Sequence, residues 1–387
     1  MKTAVMYGGG NIGRGFIGKV FADSGYEVCF LDIMQDIIDE MNARGQYTVR
    51  IVSNEGETDT TVKPVRAVNS LTDAAIDEIV NCEIMATAVG VNVLPRIAPV
   101  IARGMVARME RTGKPLDIIL CENQLGADEL MRGWIYEKLT EEQKKWADGN
   151  LGLVEASIGR MVPPLTPEMR AQDKLLICVE PYCELPVDKD AFKGEIPDLV
   201  GLIPYTPFEF YIKRKLFLHN GGHALCAYLG YEKGYEYIWQ AIADPEIYEA
   251  AKASMMASAQ ALVHKFGEGV RENVEGNVTD LLFRFQNKAL KDTVARVGAD
   301  PVRKLRRNDR IVGAALFAME QGVDPAPIVK GILAALKFDR AEDATAPEIQ
   351  KALKEQGIDR VLEHYMGLSP EEALYGEIRA AYLKDGE

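Results

Sequence analysis

The chain opens on a short apolar run, Thr3-Ala4-Val5-Met6-Tyr7, that stops at a cluster of glycines. Such a run bounded by turn residues reads as a strand. A helical pattern follows from about Asn11 to Asp23. A second strand, Tyr26 to Leu31, ends at Asp32, and Ile33 to Arg44 reads as a helix. Ile84 to Val89 predicts another apolar strand, closed by Gly90. Leu94 to Glu110 predicts a helix with Pro95 suited to its first turn, and Asp117 to Cys121 a further strand. Near-continuous apolar strands separated by helices predict an α/β, Rossmann-like N-terminal domain: a mostly parallel, doubly wound sheet covered on both faces.

The middle is less regular. Leu153 to Ser157 and Lys174 to Glu180 read as strands. Pro163, Pro164 and Pro167 mark an irregular loop, and Phe192 to Pro204 is spaced by Gly and Pro. The domain boundary falls there. After Pro207 the segments Glu209–Leu229, Pro245–Phe266, Glu272–Gln286, Asn308–Gln321, Pro325–Phe338, Pro347–Gln356 and Glu371–Leu383 all read as helices. The expected organisation is therefore an α/β domain over 1–203 and a mostly α-helical domain over 204–387. The length of 387 residues agrees, since single cores stop growing near 250–300 residues.

Charge narrows the partners. A net charge of -13 argues against nucleic acid, whose phosphates need Lys and Arg. It leaves room for a small anionic substrate in a local basic pocket. No apolar run approaches the ~20 residues of a membrane span, and the N-terminus lacks the apolar region of a signal peptide. A cytoplasmic protein, a monomer or small homo-oligomer with no membrane partner, is the simplest reading. The six cysteines form no CxxC pair and the four histidines no HExxH, so no metal site is expected.

Two stretches carry candidate chemistry. Gly8-Gly9-Gly10-Asn11-Ile12-Gly13 satisfies GxGxxG, follows a strand and opens a helix, and Asp32 closes the next strand 19 positions beyond Gly13. Gly8 would permit the tight turn, Gly10 the approach of a pyrophosphate, and Gly13 close packing of helix on sheet. The helix N-terminus favours the negative charge. Asp32 would accept from adenosine ribose hydroxyls and repel a 2′-phosphate, which favours NAD. The alternative is an Asp that merely caps the following helix. Thr87-Ala88-Val89-Gly90 ends a later strand on the same edge.

The second stretch runs from Lys213 to His223. It reads as a helix interior, yet holds Gly221 and Gly222, each costing up to ~1 kcal/mol relative to Ala. At roughly 100° per residue, Lys215 and Gly222 lie only ~20° apart, with His223 ~80° and Asn220 ~140° from Lys215. Open space over Gly222 would admit a ligand. Alcohol oxidation needs a proton acceptor, and burial near Lys213 and Arg214 would bring a lysine toward a useful range. Asn220 could donate to a developing oxyanion. A solvated basic helix face is the competing explanation.

The blocks GGGNIGRGFIG (Gly8–Gly18), TAVGVNVL (Thr87–Leu94), Cys121-Glu122-Asn123, Lys215-x4-Asn220-x2-His223 and FQNKALKDTVARVGADPVRKL (Phe285–Leu305) resemble the polyol-specific long-chain dehydrogenase/reductase family, in order and over nearly the whole chain. The resemblance implies a metal-independent enzyme that interconverts D-mannitol 1-phosphate and D-fructose 6-phosphate with NAD, so its partners are a polyol phosphate and a ketose phosphate. Lys215 would be the general base, Asn123 and Asn220 would polarise the substrate oxygen, and His223 would hold a hydroxyl. Gly8, Gly10, Asn11, Ile12, Gly13, Asp32, Thr87 and Val89 would line the cofactor. Arg284, Arg296, Arg303 and Lys304 are the cations in or beside the C-terminal block that suit a phosphate. One departure stands out. The family usually has Val-Asp-Arg before its Pro-containing loop, and here Gly159 replaces the acid between Ile158 and Arg160, with Glu155 a candidate substitute. That leaves two alternatives: the same chemistry on another polyol or a sugar acid, as in mannitol 2-dehydrogenases and hexuronate reductases, or a non-catalytic NAD-binding protein.

Overall fold

The computed structural model describes residues 1–124 and 126–385. The chain divides into two compact units, Met1–Glu209 and Phe210–Glu387, six residues beyond the position expected from the sequence.

In the first unit the strands are β1 Thr3–Tyr7, β2 Glu27–Asp32, β3 Tyr47–Ser53, β4 Gly56–Val62, β5 Val65–Asn69, β6 Ile84–Thr87, β7 Leu116–Leu120, β8 Leu151–Glu155, β9 Ile177–Val179, β10 Leu185–Asp188 and β11 Leu202–Tyr205. Six of them form one parallel sheet in the order β5-β2-β1-β6-β7-β8. Counted along the chain this is 3-2-1-4-5-6, the dinucleotide-binding order, with its reversal between β1 and β6. Both faces are covered. Ala4 and Met6 of β1 pack with Phe16, Ile17 and Phe21 on one side. Val5 and Tyr7 pack with Ile79, Ile97 and Ile101 on the other. Successive residues of a strand point to opposite faces, so a strand buried on both sides must be apolar throughout.

Two features escape the pattern of the sequence. β3 and β4 form an antiparallel hairpin, to which β9 adds in parallel. β4 is polar and largely exposed, so no apolar run marks it. The stretch expected to be irregular, Phe192 to Pro204, runs into β11, which pairs in parallel with β10. Each of these strands has four residues and one proline, too little for a period to show.

The second unit is helical, as expected. Pro245–Phe266 is a single helix whose first N–H groups donate to the Asp244 carboxylate. Arg271–Arg284, Val312–Glu320, Ala326–Leu336 and Ala373–Asp385 fall within a few residues of the expected bounds. Ala346–His364 runs past its expected end, across a break at Gly357 (φ 81°). Ile238–Ala243, Val294–Gly298 and Pro301–Lys304 are additional helices too short to show a period. At the centre lies Gly221–Glu232, packed by Pro245–Phe266, Ala326–Leu336 and Val294–Gly298. Among the described residues no helix is long and apolar enough to cross a membrane.

Candidate active site

In the first unit the glycine turn lies at the C-terminal end of β1, where the strand order reverses. Gly8 has φ 104°, and a Cβ there would meet the Ala88 carbonyl oxygen at 2.6 Å, so the turn passes directly against the residue after β6. A Cβ at Gly13 would lie 1.9 Å from the Gly8 oxygen. At Gly10 a Cβ would meet nothing within 4 Å, and Gly10 and Asn11 are exposed. The chain is therefore closed at Gly8 and Gly13 and open at Gly10, as the close approach of a pyrophosphate requires. The helical run of 11–23 that follows is interrupted by a π-helical turn, Gly13–Ile17. Arg14 in that turn is buried, with its Nε donating to the Gly9 oxygen (2.6 Å) and its Nη1 to the Leu175 oxygen (2.7 Å).

Asp32 serves the turn as well. Its Oδ2 accepts from Gly9 N (2.7 Å), and its Oδ1 accepts from Ile33 N (2.7 Å) and Met34 N (3.0 Å). The following helix, Gln35–Arg44, begins without a side-chain cap, so capping of that helix does not account for Asp32. A carboxylate has about four lone-pair sites, which leaves room for a ligand hydroxyl. Next to it Ile33 and Met34 are 63% and 55% exposed, an apolar surface that sequence reasoning passed over.

Thr87 is fully buried and Val89 half-buried. Glu122, not singled out from the sequence, fixes the Val89–Gly90 backbone, accepting from both N–H groups at 2.9 Å. Burial pushes its carboxyl up, against the lowering effect of those bonds and of Thr87. Asn123 follows directly, three residues beyond β7. Glu155, at the end of β8, accepts from Ala127 N (3.2 Å), and burial together with Asp128 pushes it up to about 7. A Cβ on Gly159 would come 3.1 Å from the Tyr182 ring, so Tyr182 occupies the space an acid there would need.

In the second unit the expected single helix is three pieces: Glu209–Arg214, a π-helical segment Lys215–Asn220, and Gly221–Glu232. Bonding from i to i+5 widens the turn, so angles reckoned at 100° per residue do not hold across it. The glycines also differ from expectation. A Cβ at Gly222 would lie 2.5 Å from Met255 Sδ, and one at Gly221 2.9 Å from the Arg310 oxygen. Both admit neighbouring parts of the fold, and the space over Gly222 belongs to Met255.

Lys215 is part-buried, with its amine desolvated. Burial first, and Arg310 second, lower its pKa to about 8. Arg310 replaces the neighbours expected from the sequence. Lys213 lies over the Phe317 ring (4.7 Å to the centroid), and Arg214 lies over Tyr211 (4.5 Å) and donates to Asn273 (2.7 Å). His219 is buried in the same group. Burial, Arg284, His223, Lys215 and Arg310 together hold it well below the ordinary histidine range. His223 stacks on Phe285, with centroids 4.8 Å and planes 12° apart, and its Nε2 lies 3.0 Å from Asp292 Oδ2. Asn220 is half-buried at the end of the π segment. Lys215, His219, His223, Arg284 and Arg310 thus form one cluster. His264 and His364 stand apart, one against the Gln321 oxygen and the other against Tyr365.

Of the four proposed phosphate cations, Arg284 is buried and Arg303 donates to Asp300 (3.0 Å). Arg296 donates to Asp292 Oδ1. Lys304 is buried with its amine on the Ala299 oxygen, and burial with Arg310 and Arg303 lowers its pKa to about 8. Arg310 of the cluster, and Asp292 beside its His223, are the residues that sequence reasoning missed. Asp292 sits inside the Phe285–Leu305 block, but nothing in its local pattern sets it apart from a surface acid. Among the described residues no three His, Cys, Asp or Glu side chains are grouped to hold a metal ion.

A 3-2-1-4-5-6 parallel sheet with a glycine turn at its reversal, joined to a helical unit with a desolvated lysine, defines a Rossmann-type protein of dehydrogenase architecture. Residues 2–201 match the family model of the mannitol dehydrogenase Rossmann domain, and residues 208–384 that of the mannitol dehydrogenase C-terminal domain. The chain belongs to the mannitol dehydrogenase family, and with it to the polyol dehydrogenases, as its resemblance implied. It is 39% identical over 367 residues to the mannitol-1-phosphate 5-dehydrogenase of Brevibacillus brevis, covering 94% of this chain and 93% of that one. It is 37% identical to the enzyme of the same name from Bacillus licheniformis, covering 96% and 97%. Its fold is similar to a D-sorbitol dehydrogenase in substrate-free form (TM-score 0.76, 18% identity, 88% and 81% covered). It is also similar to Pseudomonas fluorescens mannitol 2-dehydrogenase in ternary complex with NAD and D-mannitol (TM-score 0.69, 15% identity, 100% and 92% covered).

Proposed function

We propose that this chain interconverts D-mannitol 1-phosphate and D-fructose 6-phosphate with NAD, without a metal, and with the Lys215 amine as general base. The observation that carries the reading is that amine. An ordinary lysine near 10.4 is almost fully protonated at neutral pH, whereas one at about 8 holds a useful neutral fraction. In the oxidation Lys215 Nζ takes the hydroxyl proton while the carbon gives up a hydride and its C–O bond becomes a carbonyl. NAD, when bound, accepts that hydride. Asn220 and Asn123 donate amide hydrogens to the oxygen as it gains negative charge. His223 holds a neighbouring hydroxyl.

The residues of the first unit fit the cofactor. Gly8 and Gly13 close the turn, Gly10 leaves it open, and Asn11 and Ile12 begin the helix. Asp32 retains acceptor capacity for ribose hydroxyls, and Thr87 and Val89 form the adjoining edge. Arg284 and Lys304 are the stronger phosphate candidates. Arg284 acts on His219, and Lys304 on the Arg310 side of the cluster. Arg284 also pairs with an acid of its own segment, Asp280, as Arg296 and Arg303 do with Asp292 and Asp300, but Arg284 is buried where those two side chains are 66% and 43% exposed.

The names of two relatives aligned over almost the full length support the phosphorylated substrate. The test is turnover of purified protein on mannitol 1-phosphate with NAD, and on fructose 6-phosphate with NADH. A folded protein inactive on both rejects the proposal. Gly159 with Tyr182 in its space favours a second reading, in which a free polyol or sugar acid is the better substrate. A panel of phosphorylated and free polyols decides between them.

A further inference from the structure

The Asp292 carboxylate divides its two oxygens between different donors. Oδ1 accepts from Arg296, whose Nε lies at 2.8 Å and whose Nη2 also donates to it. Oδ2 lies 3.0 Å from His223 Nε2, a close ion-pair distance but off the line of the ring N–H, so the two are held by charge and not by a straight hydrogen bond. Asp292 is 7% exposed, while the Arg296 side chain is 66% exposed and reaches the carboxylate from the solvent side. His223 is held in plane by its stack on Phe285.

A carboxylate oxygen 3.0 Å from a ring nitrogen favours the proton on that nitrogen even off the N–H line, because two lone pairs at that distance repel while an N–H dipole is attracted. In the neutral imidazole the other nitrogen, Nδ1, then has the lone pair. We propose that Asp292 is a positioning residue that fixes His223 as the Nε2–H tautomer, so that Nδ1 accepts a hydrogen bond from a substrate hydroxyl, and that Arg296 sets which Asp292 oxygen faces the ring. The last step rests on the role given to His223 above. It moves Arg296 from the phosphate to the support of the imidazole. Partners of this kind fix both the orientation and the tautomer of a functional histidine.

The arrangement makes Asp292→Asn an informative change. The two Arg296 donors need an acceptor, so the new amide keeps its oxygen on the Oδ1 side and turns its NH2 toward His223 Nε2. That nitrogen must then present a lone pair, the proton moves to Nδ1, and an acceptor of substrate becomes a donor. The same logic makes the Asp→Asn change costly in the serine-protease triad, a worked example of wrong-tautomer loss. Adding Arg296→Met removes the donors that hold the amide and lets it rotate its oxygen back to the ring.

The experiment is ¹⁵N NMR of the ring nitrogens in substrate-free protein at alkaline pH, where four histidines keep the spectrum tractable, paired with steady-state kinetics. The unsubstituted protein shows His223 protonated on Nε2. Asp292→Asn moves the proton to Nδ1 and lowers kcat/KM by roughly 10- to 100-fold, the range for groups that orient a functional imidazole, chiefly through KM. The Asp292→Asn, Arg296→Met pair restores the Nε2 proton and part of kcat/KM. A proton on Nδ1 in the unsubstituted protein overturns the inference, and so does an unchanged tautomer in Asp292→Asn. Arg296→Met alone costing as much as Asp292→Asn returns Arg296 to the substrate. A switched tautomer with unchanged KM instead removes His223 from substrate binding and leaves the tautomer assignment standing.

Discussion

The glycine turn after β1 and the segment from Lys215 to Gly222 use the same ingredients to opposite ends. Each places glycines on a helical run, and each run contains a π-helical turn, Gly13–Ile17 in one and Lys215–Asn220 in the other. In the turn, Gly8 and Gly13 fold the chain tightly and Gly10 is left open, so a surface is shaped from backbone. In the second segment the glycines are filled from within, Gly222 by Met255 and Gly221 by the Arg310 carbonyl. Their yield is indirect. Tight packing under Gly221 and Gly222 brings Arg310 against the helix that carries Lys215, and the chemistry is left to side chains. π turns recur at functional sites because they re-aim residues without ending the helix.

If the second segment works through side chains, removing one amine has the largest effect. Lys215→Met should lower kcat by about 10²- to 10⁴-fold, the usual contribution of a positioned base, with NADH affinity measured by fluorescence titration nearly unchanged. Activity near the unsubstituted level would dissolve the contrast between the two regions. Asp32→Ala acts on the turn. Hydrogen bonds to a charged group contribute roughly 1.5–3 kcal/mol, so NAD affinity should fall by about 10- to 100-fold while the preference against NADP shrinks. Equal loss of both cofactors would mean that Asp32 serves only Gly9, Ile33 and Met34.

How far the sequence disclosed these regions follows from the same contrast. The strand–glycine–helix unit was legible because buried parallel strands are apolar at every position and the glycine spacing is local. Asp32 was legible because it ends the next strand. The β3–β4 hairpin was not, since β4 is a polar strand with one buried residue. The π segment was invisible to a fixed angular step. Gly222 looked the same whether a ligand or Met255 lay against it, because the residue that fills a glycine's space comes from a distant helix. The pairing of His223 with Asp292, and the approach of Arg310 to Lys215, are likewise tertiary facts.

The charge beside Lys215 gives a smaller, sharper effect. The amine must be neutral to accept a proton, so kcat/KM for polyol oxidation should rise with pH and level off above about 8. The reverse reaction needs the protonated amine and should fall over the same range. Burial is the larger cause of the lowered value and Arg310 the second, so Arg310→Met should move the inflection upward by up to about one unit and leave it below the ordinary lysine range. An inflection that stays put would assign the shift to burial alone.

The smallest effects come from the glycines themselves and separate the regions most directly. Gly10→Ala places a methyl where the chain has nothing within 4 Å, so thermal stability should be unchanged. The methyl would stand in the path of the pyrophosphate, and KM for NAD should rise roughly five- to tenfold, about 1.0–1.4 kcal/mol. Gly222→Ala should do the reverse. Its methyl meets Met255 Sδ at 2.5 Å, an overpacking that costs about 1–3 kcal/mol, while alanine's helix preference returns up to ~1 kcal/mol. The melting temperature should therefore drop modestly with KM for NAD unchanged, and Met255→Ala in the same chain should relieve the crowding because the obstructing atoms belong to that side chain. A Gly222→Ala variant that kept its stability but lost affinity for the polyol would mean that Met255 yields the space to a substrate, and the two glycine clusters would then be doing the same job.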